Sequence, residues 1–106
     1  MGRLKTPRTI VIGELNVDLV ATGVNSIPEM GVEIVVEDCV LTLGSASAIF
    51  AVGMANLGHQ VTFVSQVGGD SFGDFCIDAL QDSGVSTKNV LRTDKFRTGV
   101  TIPLST

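Results

Sequence analysis

Apolar residues follow two rhythms along this chain, and the rhythm changes at glycines. Thr9-Ile10-Val11-Ile12 is a β-branched run closed by Gly13, which predicts a short buried strand. It leads directly into Glu14-Leu15-Asn16-Val17-Asp18, so the strand is expected to present polar residues at its tip, with Leu19 to Thr22 continuing it. Ser26 to Gly31 is a turn, punctuated by Pro28 and Gly31. Glu33 to Thr42 alternates imperfectly, with Ile34, Val36 and Val40 on one side, and predicts a strand partly covered on one face and wet on the other.

The period then lengthens. Ser45 to Leu57 reads as an alanine-rich helix closed by Gly58, where a positive φ ends the last turn. It is apolar nearly all round, which predicts burial on more than one side. Gly53 inside it costs helix stability of ~1 kcal/mol relative to alanine and suggests close packing against a neighbour. Val61 to Val67 is a second strand. Asp70 caps a second helix, Ser71 to Ser83, whose Phe72, Phe75, Cys76, Ala79 and Leu80 form one stripe. Gly84 ends that helix as Gly58 ends the first. Val90-Leu91 and Thr98 to Leu104 read as further strands. Strand, helix, strand, helix, strand at this spacing predicts a parallel sheet with crossover helices. The last strand has no partner after it, and a strand left open at a sheet edge is unusual. The 106 residues are therefore expected to be the N-terminal part of a longer protein, incomplete as a domain.

Composition narrows the function classes. A hydrophobic content of 44% against 17% charged marks an ordered, core-forming chain. A net charge of −4, with neither Trp nor Tyr and scattered Phe, disfavours a nucleic-acid partner. The one basic cluster, Lys88, Arg92, Lys95 and Arg97, reads as a solvated surface more readily than as a phosphate site. No apolar run approaches the ~18 residues of a membrane span. Met1 to Thr6 matches the short myristoylation pattern, for which a plain N-terminal arm is the better reading. Cys39 and Cys76 fit no zinc spacing and read as two buried thiols, which points to a reducing cytoplasm.

Three stretches could carry chemistry. Asn16 and Asp18 are two apart, so on an extended segment they point to one side. A carboxylate accepts from vicinal hydroxyls and an amide both donates and accepts, which suits a sugar; a polar strand end with an Asx turn explains the pair equally well. Gly44-Ser45-Ala46-Ser47 opens a helix with small residues that let a ligand approach the backbone N–H groups, or is an ordinary serine cap. Gly68-Gly69-Asp70-Ser71-Phe72-Gly73-Asp74 reads as acids at a helix start, where they oppose the dipole, before it reads as a phosphate loop or metal pair. His59, the single histidine, follows a helix end and reads as a surface or capping residue. The first strand is followed by no GxGxxG, which disfavours a dinucleotide site there.

Taken in order, Glu14-Leu15-Asn16-Val17-Asp18, Leu43 to Gly58, Val67 to Asp74, Gly84-Val85-Ser86-Thr87 and Thr98-Gly99 resemble the N-terminal third of the PfkB family, the ribokinase-like carbohydrate and nucleoside kinases. The resemblance implies an α/β fold, a ribokinase-like Rossmann-type parallel sheet with a small β-sheet lid. Residues 1–106 would be the N-terminal part of that domain, with lid strands near 19–24, 33–42 and 100–104. It implies that Asn16 and Asp18 bind sugar hydroxyls and that Gly44 and Ser45 approach the same sugar. Two departures stand out. Ser45 replaces the family's second glycine, and Ile49 replaces a sugar-contacting asparagine, so the substrate would be smaller, reoriented, or held by Ser45 or Ser47 instead. The implied activity is ATP-dependent, Mg²⁺-assisted phosphorylation of a carbohydrate hydroxyl. The catalytic base, the nucleotide pocket and any metal ligand would lie beyond Thr106, which leaves these residues inactive alone. The implied partners are a sugar and a second copy packed through the lid. A non-catalytic sugar-binding or structural paralogue is the alternative that Ile49 favours.

Overall fold

The computed structural model describes residues 6–106; the first five residues of the myristoylation pattern lie outside the described residues. The elements run β1 (Arg8–Ile12), β2 (Asn16–Thr22), β3 (Asp38–Leu43), α1 (Ala46–Asn56), β4 (Gln60–Gly68), α2 (Ser71–Asp82), β5 (Ser86–Thr93) and β6 (Gly99–Thr101). They make two sheets. One is parallel, in the order β1-β4-β5, and the other is mixed, in the order β3-β2-β6. The parallel sheet with crossover helices is the arrangement that the change of period predicts.

Register explains which face is covered. Thr9 and Val11 pair with Val61 and Phe63 and turn toward the helices, where Val11, Val61, Phe63, Val67, Cys76 and Leu80 are buried. Ile10 and Ile12 alternate to the other face and are 69% and 77% exposed. The shortest dimension, 17 Å, admits one sheet and one helical layer. The radius of gyration, 17.0 Å, exceeds the ~13 Å of a compact chain of this length, because the two sheets extend the molecule instead of closing it.

The same openness corrects the expectation for α1. Its apolar surface is covered on one side only, at Ala48 and Ala51, while Ile49, Phe50 and Leu57 are more than half exposed. Gly53 has nothing within 4 Å of where a Cβ would stand, so no neighbour packs closely there. α2 is the amphipathic helix of the pair and buries Gly73, Cys76 and Leu80, with Phe75, Ile77 and Ala79 half-buried beside them. Both helices end as the glycines predict. Gly58 and Gly84 have φ of 92° and 84°, and the following N–H groups of His59 and Val85 return to Met54 and Leu80 at 3.1 and 2.9 Å. His59 also stands 2.9 Å from the Thr9 hydroxyl through Nδ1, a structural role at the C-terminal end of α1.

Several boundaries differ from the sequence reading. Asn16 and Asp18 do not tip β1; a three-residue connection with Leu15 buried separates them, and they begin β2 in the other sheet. The strand expected over Glu33 to Thr42 is Asp38–Leu43. β2 ends where Gly23 takes a φ of 70°, and beyond the Glu37-to-Thr22 bond of 2.9 Å residues 33–36 have no strand to pair with. Val90-Leu91 belongs to the longer β5, because β4 supplies partners at Ser86 and, past a register shift, from Asn89 to Thr93. The final strand shortens to β6, since Pro103 has no N–H; its carbonyl still accepts from Ala21 N–H at 2.9 Å. Cys76 is buried, but Cys39 is exposed on the edge strand β3.

Candidate functional site

The site is built where the two sheets meet. β2 carries Asn16 and Asp18 on one face because side chains alternate along a strand. The register adds partners that no linear spacing reveals: Asp18 lies between Thr42 of β3 and Thr101 of β6, and Asn16 is opposite Gly99. A polar row Thr42–Asp18–Thr101 therefore crosses the small sheet. Sequence reading missed both threonines, because only strand pairing brings residues so distant in the chain to one carboxylate.

Gly44 closes over this row. Its N–H donates to the Asn16 carbonyl at 3.0 Å, extending the β2–β3 pairing to the start of α1. A Cβ on Gly44 would stand 2.7 Å from Asp18 Cγ and 2.9 Å from Asn16 Nδ2, so only glycine leaves those two side chains where they are. Of the residues singled out from the sequence, Asn16, Asp18 and Gly44 are thus brought together.

Ser45 and Ser47 are placed differently. Ser45 has extended backbone, is buried, and accepts from the Ala48 N–H at 3.3 Å, which is the ordinary N-cap. Ser47 packs against Gly13, where a Cβ would collide with its hydroxyl. Ile49 lines an apolar groove of about 310 Å³ with Leu41, Val52 and Phe75 between β3 and the two helices.

A larger cavity, about 710 Å³, meets the site at Asn16. Its floor is the uncovered face of the parallel sheet, including Ile12, Val64 and Gln66, and its rim carries Phe96 and Arg97. Asp18 and Gly44 do not line it. Chemically this is a polar edge on an apolar floor: hydroxyl acceptors at Asp18, an amide at Asn16 and a guanidinium at Arg97, next to ring-sized apolar surface.

Asp70 has its carboxyl held below the ordinary range. The Thr98 N–H, then the Gly73 N–H, then the Thr98 hydroxyl favour its charged form. The Arg92–Asp74 ion pair ties β5 to the first turn of α2 at the surface. The basic cluster is otherwise solvated: Lys88, Lys95 and Arg97 are exposed, as the sequence predicts. Among the described residues no group of three His, Cys, Asp or Glu side chains could hold a metal ion, and no helix is long and apolar enough to cross a membrane.

Comparison with known proteins follows the same line. Residues 6–106 match the family described as pfkB family carbohydrate kinase. A 5-dehydro-2-deoxygluconokinase from Geobacillus thermodenitrificans is 33% identical over 88 residues, covering 81% of this chain and 24% of its own length. A ribokinase from Lactococcus lactis is 33% identical over 81 residues, covering 76% of this chain and 27% of its own. Among solved structures, the Arabidopsis thaliana ribokinase complexed with ribose and ATP is similar with a TM-score of 0.86 at 25% identity, over 94% of this chain and 32% of that one. A Xylella fastidiosa fructokinase gives 0.72 at 32% identity, over 89% and 27%. The chain spans less than a third of the length of each of these relatives.

Proposed function

The chain belongs to the pfkB family of carbohydrate kinases, and on that premise we propose that it forms the sugar-binding part of an enzyme that transfers the γ-phosphoryl group of ATP to a carbohydrate hydroxyl. The observation that carries this reading is the seat of Gly44 against Asn16 and Asp18, which keeps a carboxylate and an amide side by side at the start of β2. Asp18 would accept from two vicinal hydroxyls and Asn16 would fix the ring's orientation, with Thr42 and Thr101 supplying further hydroxyl contacts. Ser45 contributes through its backbone in this reading, since its hydroxyl oxygen already caps α1. Ser47, whose hydroxyl lies against Gly13, is the other candidate contact.

ATP, Mg²⁺ and the base that deprotonates the acceptor hydroxyl belong to the remainder of such an enzyme, and residues 1–106 alone are expected to turn over no sugar. ATP is bound in the ribokinase and in a further Xylella fastidiosa fructokinase structure, which supports it as phosphoryl donor here. A homodimer through the small sheet is part of the proposal; the exposed apolar residues Val40 and Val100 on its edge strands support it. A cytoplasmic setting rests on the two free cysteines.

A non-catalytic paralogue is the second reading, and Ile49 is its motive. Ile49 faces an apolar groove, which supports leaving hydroxyl recognition to Asn16 and Asp18 and weakens that motive.

The test is a coupled ADP-release assay on the full-length protein with ribose, fructose and 5-dehydro-2-deoxygluconate, run on wild type and Asp18→Ala. A charged hydrogen bond to a hydroxyl is worth ~1.5–3 kcal/mol, so the variant's sugar KM should rise ten- to hundredfold or more while the ATP KM stays put. Sugar binding by calorimetry without ADP release would favour the paralogue. An unchanged sugar KM would remove Asp18 from the site.

A further inference from the structure

Asp70 reads from the sequence as a helix cap, and a cap needs one hydrogen bond. Asp70 makes three. Its Oδ1 accepts the Gly73 N–H at 2.8 Å, which is the cap itself, and also the Thr98 hydroxyl at 2.7 Å. Its Oδ2 accepts the Thr98 N–H at 2.9 Å. Two of the three bonds therefore go to a residue 28 positions away that capping does not require.

Thr98 completes the junction from its other side. It is buried, and its hydroxyl oxygen accepts the Gly68 N–H at 3.0 Å. The end of β4, the start of α2 and the residue before β6 are thus tied into one ring of hydrogen bonds. Two glycines make room for it. A Cβ on Gly68 would stand 2.7 Å from Thr98 N, and one on Gly73 would stand 3.1 Å from Thr98 Oγ1. Bonds to an ionised carboxylate are shorter and about twice as strong as neutral ones, which suits a fixed anchor.

What the anchor holds is the next three residues. β6 follows Thr98 directly, and its Gly99 and Thr101 are in register with Asn16 and Asp18 of β2. β6 is an edge strand of three residues with one partner strand; bonds between Ala21 and residues 103 and 105 hold its far end, and Thr98 is the anchor on its near side. We propose that Asp70 is a positioning residue for sugar recognition: through Thr98 it sets where β6, and with it Thr101, stands against Asp18. The proposal rests on the sugar-binding reading above, and it couples the rigid parallel sheet to the small sheet at the site.

The test uses the full-length protein and whichever of ribose, fructose and 5-dehydro-2-deoxygluconate it phosphorylates fastest. Asp70→Asn turns one acceptor into an NH₂ group, setting donor against donor at Gly73 or at Thr98, and Thr98→Val removes the hydroxyl that both Asp70 and Gly68 use. Each should raise the sugar KM about tenfold with the ATP KM within twofold, and should speed amide exchange across Gly99–Thr101 at least tenfold. Thr98→Ser keeps the hydroxyl and should stay within twofold of wild type in both readouts. A cap and nothing more would lower the melting temperature and leave sugar KM and β6 exchange unchanged, and that result overturns the proposal. Wild-type exchange decides the matter if neither variant folds. Thr98 and the β6 amides should open as one unit, and β6 opening while Thr98 stays protected overturns the linkage. Exchange needs no turnover, so a protein that phosphorylates no sugar defeats the kinase reading and leaves the anchoring of β6 decided by exchange alone.

Discussion

Gly44→Ala isolates the geometry of the site with a single methyl group. Gly44 is not among the glycines with positive φ, so alanine meets no backbone penalty there. Its N–H would still donate to the Asn16 carbonyl, so the strand pairing survives. What changes is space. The added Cβ would stand 2.7 Å from Asp18 Cγ and 2.9 Å from Asn16 Nδ2, whereas ordinary contact begins at 3.4 Å. Relief requires a shift of about 1 Å at the carboxylate, whose Oδ1 is the nearest atom, and about 0.5 Å at the amide. A hydrogen bond at its optimum near 2.8 Å is lengthened beyond useful range by a shift of that size. The charged bonds at stake are worth ~1.5–3 kcal/mol, which converts to a sugar KM raised roughly ten- to more than a hundredfold. The ATP KM should not move. The assay is coupled ADP release at saturating ATP, with sugar binding measured separately by calorimetry. Gly53→Ala is the control. It has no neighbour within 4 Å, so the methyl group should stabilise α1 by up to ~1 kcal/mol and leave the sugar KM alone. A Gly44→Ala protein with wild-type sugar KM and an unshifted melting temperature would refute the close approach of Gly44 to Asp18.

Three further outcomes follow from the same geometry. Asp70 is held below the ordinary carboxylate value of 3.8, so its contribution is present above that pH and is lost as pH falls through the depressed folded value; the stability difference between wild type and Asp70→Asn should shrink below about pH 4 in urea titrations, and a constant difference from pH 7 to 3 would remove the ionised carboxylate from the account. Burial pushes the Cys76 thiol up to about 11 while Cys39 is exposed, so a thiol reagent at pH 8 should label Cys39 promptly and Cys76 only after unfolding, as peptide mass mapping will show. If the full-length protein dimerises through the small sheet, Val40→Glu should dissociate it in sedimentation, because Val40 is half exposed on edge strand β3; the half-buried Val36 lies outside the strands and is the poorer probe, and a dimer that survives Val40→Glu puts the interface elsewhere.

Local signals were enough for the parts of this molecule that depend on local physics. The β-branched run at Thr9 to Ile12, the glycines at 58 and 84 and the acid at 70 mark strand, helix ends and cap, because each acts within a turn of its own position. The order of the motifs was enough for the family. Asn16, Asp18 and Gly44 could be named from the sequence, but whether they meet could not, since Asp18 and Gly44 are 26 positions apart. Pairing decided that, and only pairing could: the β2–β3 register sets Thr42 beside Asp18, and the parallel β6 sets Thr101 on its other side. The same cause moved the strand boundaries, because residues 33–36 are strand-like in composition yet have no partner, while Ser86 and Asn89 to Thr93 gain partners from β4. Periodicity also misjudged α1. An apolar helix declares that it can be buried, but the neighbours that bury it are a property of the fold, and here they cover Ala48 and Ala51 and leave Ile49, Phe50 and Leu57 open. Asp70 shows the division most plainly. Its cap to Gly73 is a short-range bond that any reader of the sequence can expect, and its bonds to Thr98 arise because the tertiary fold returns the chain, 28 residues later, to the same carboxylate.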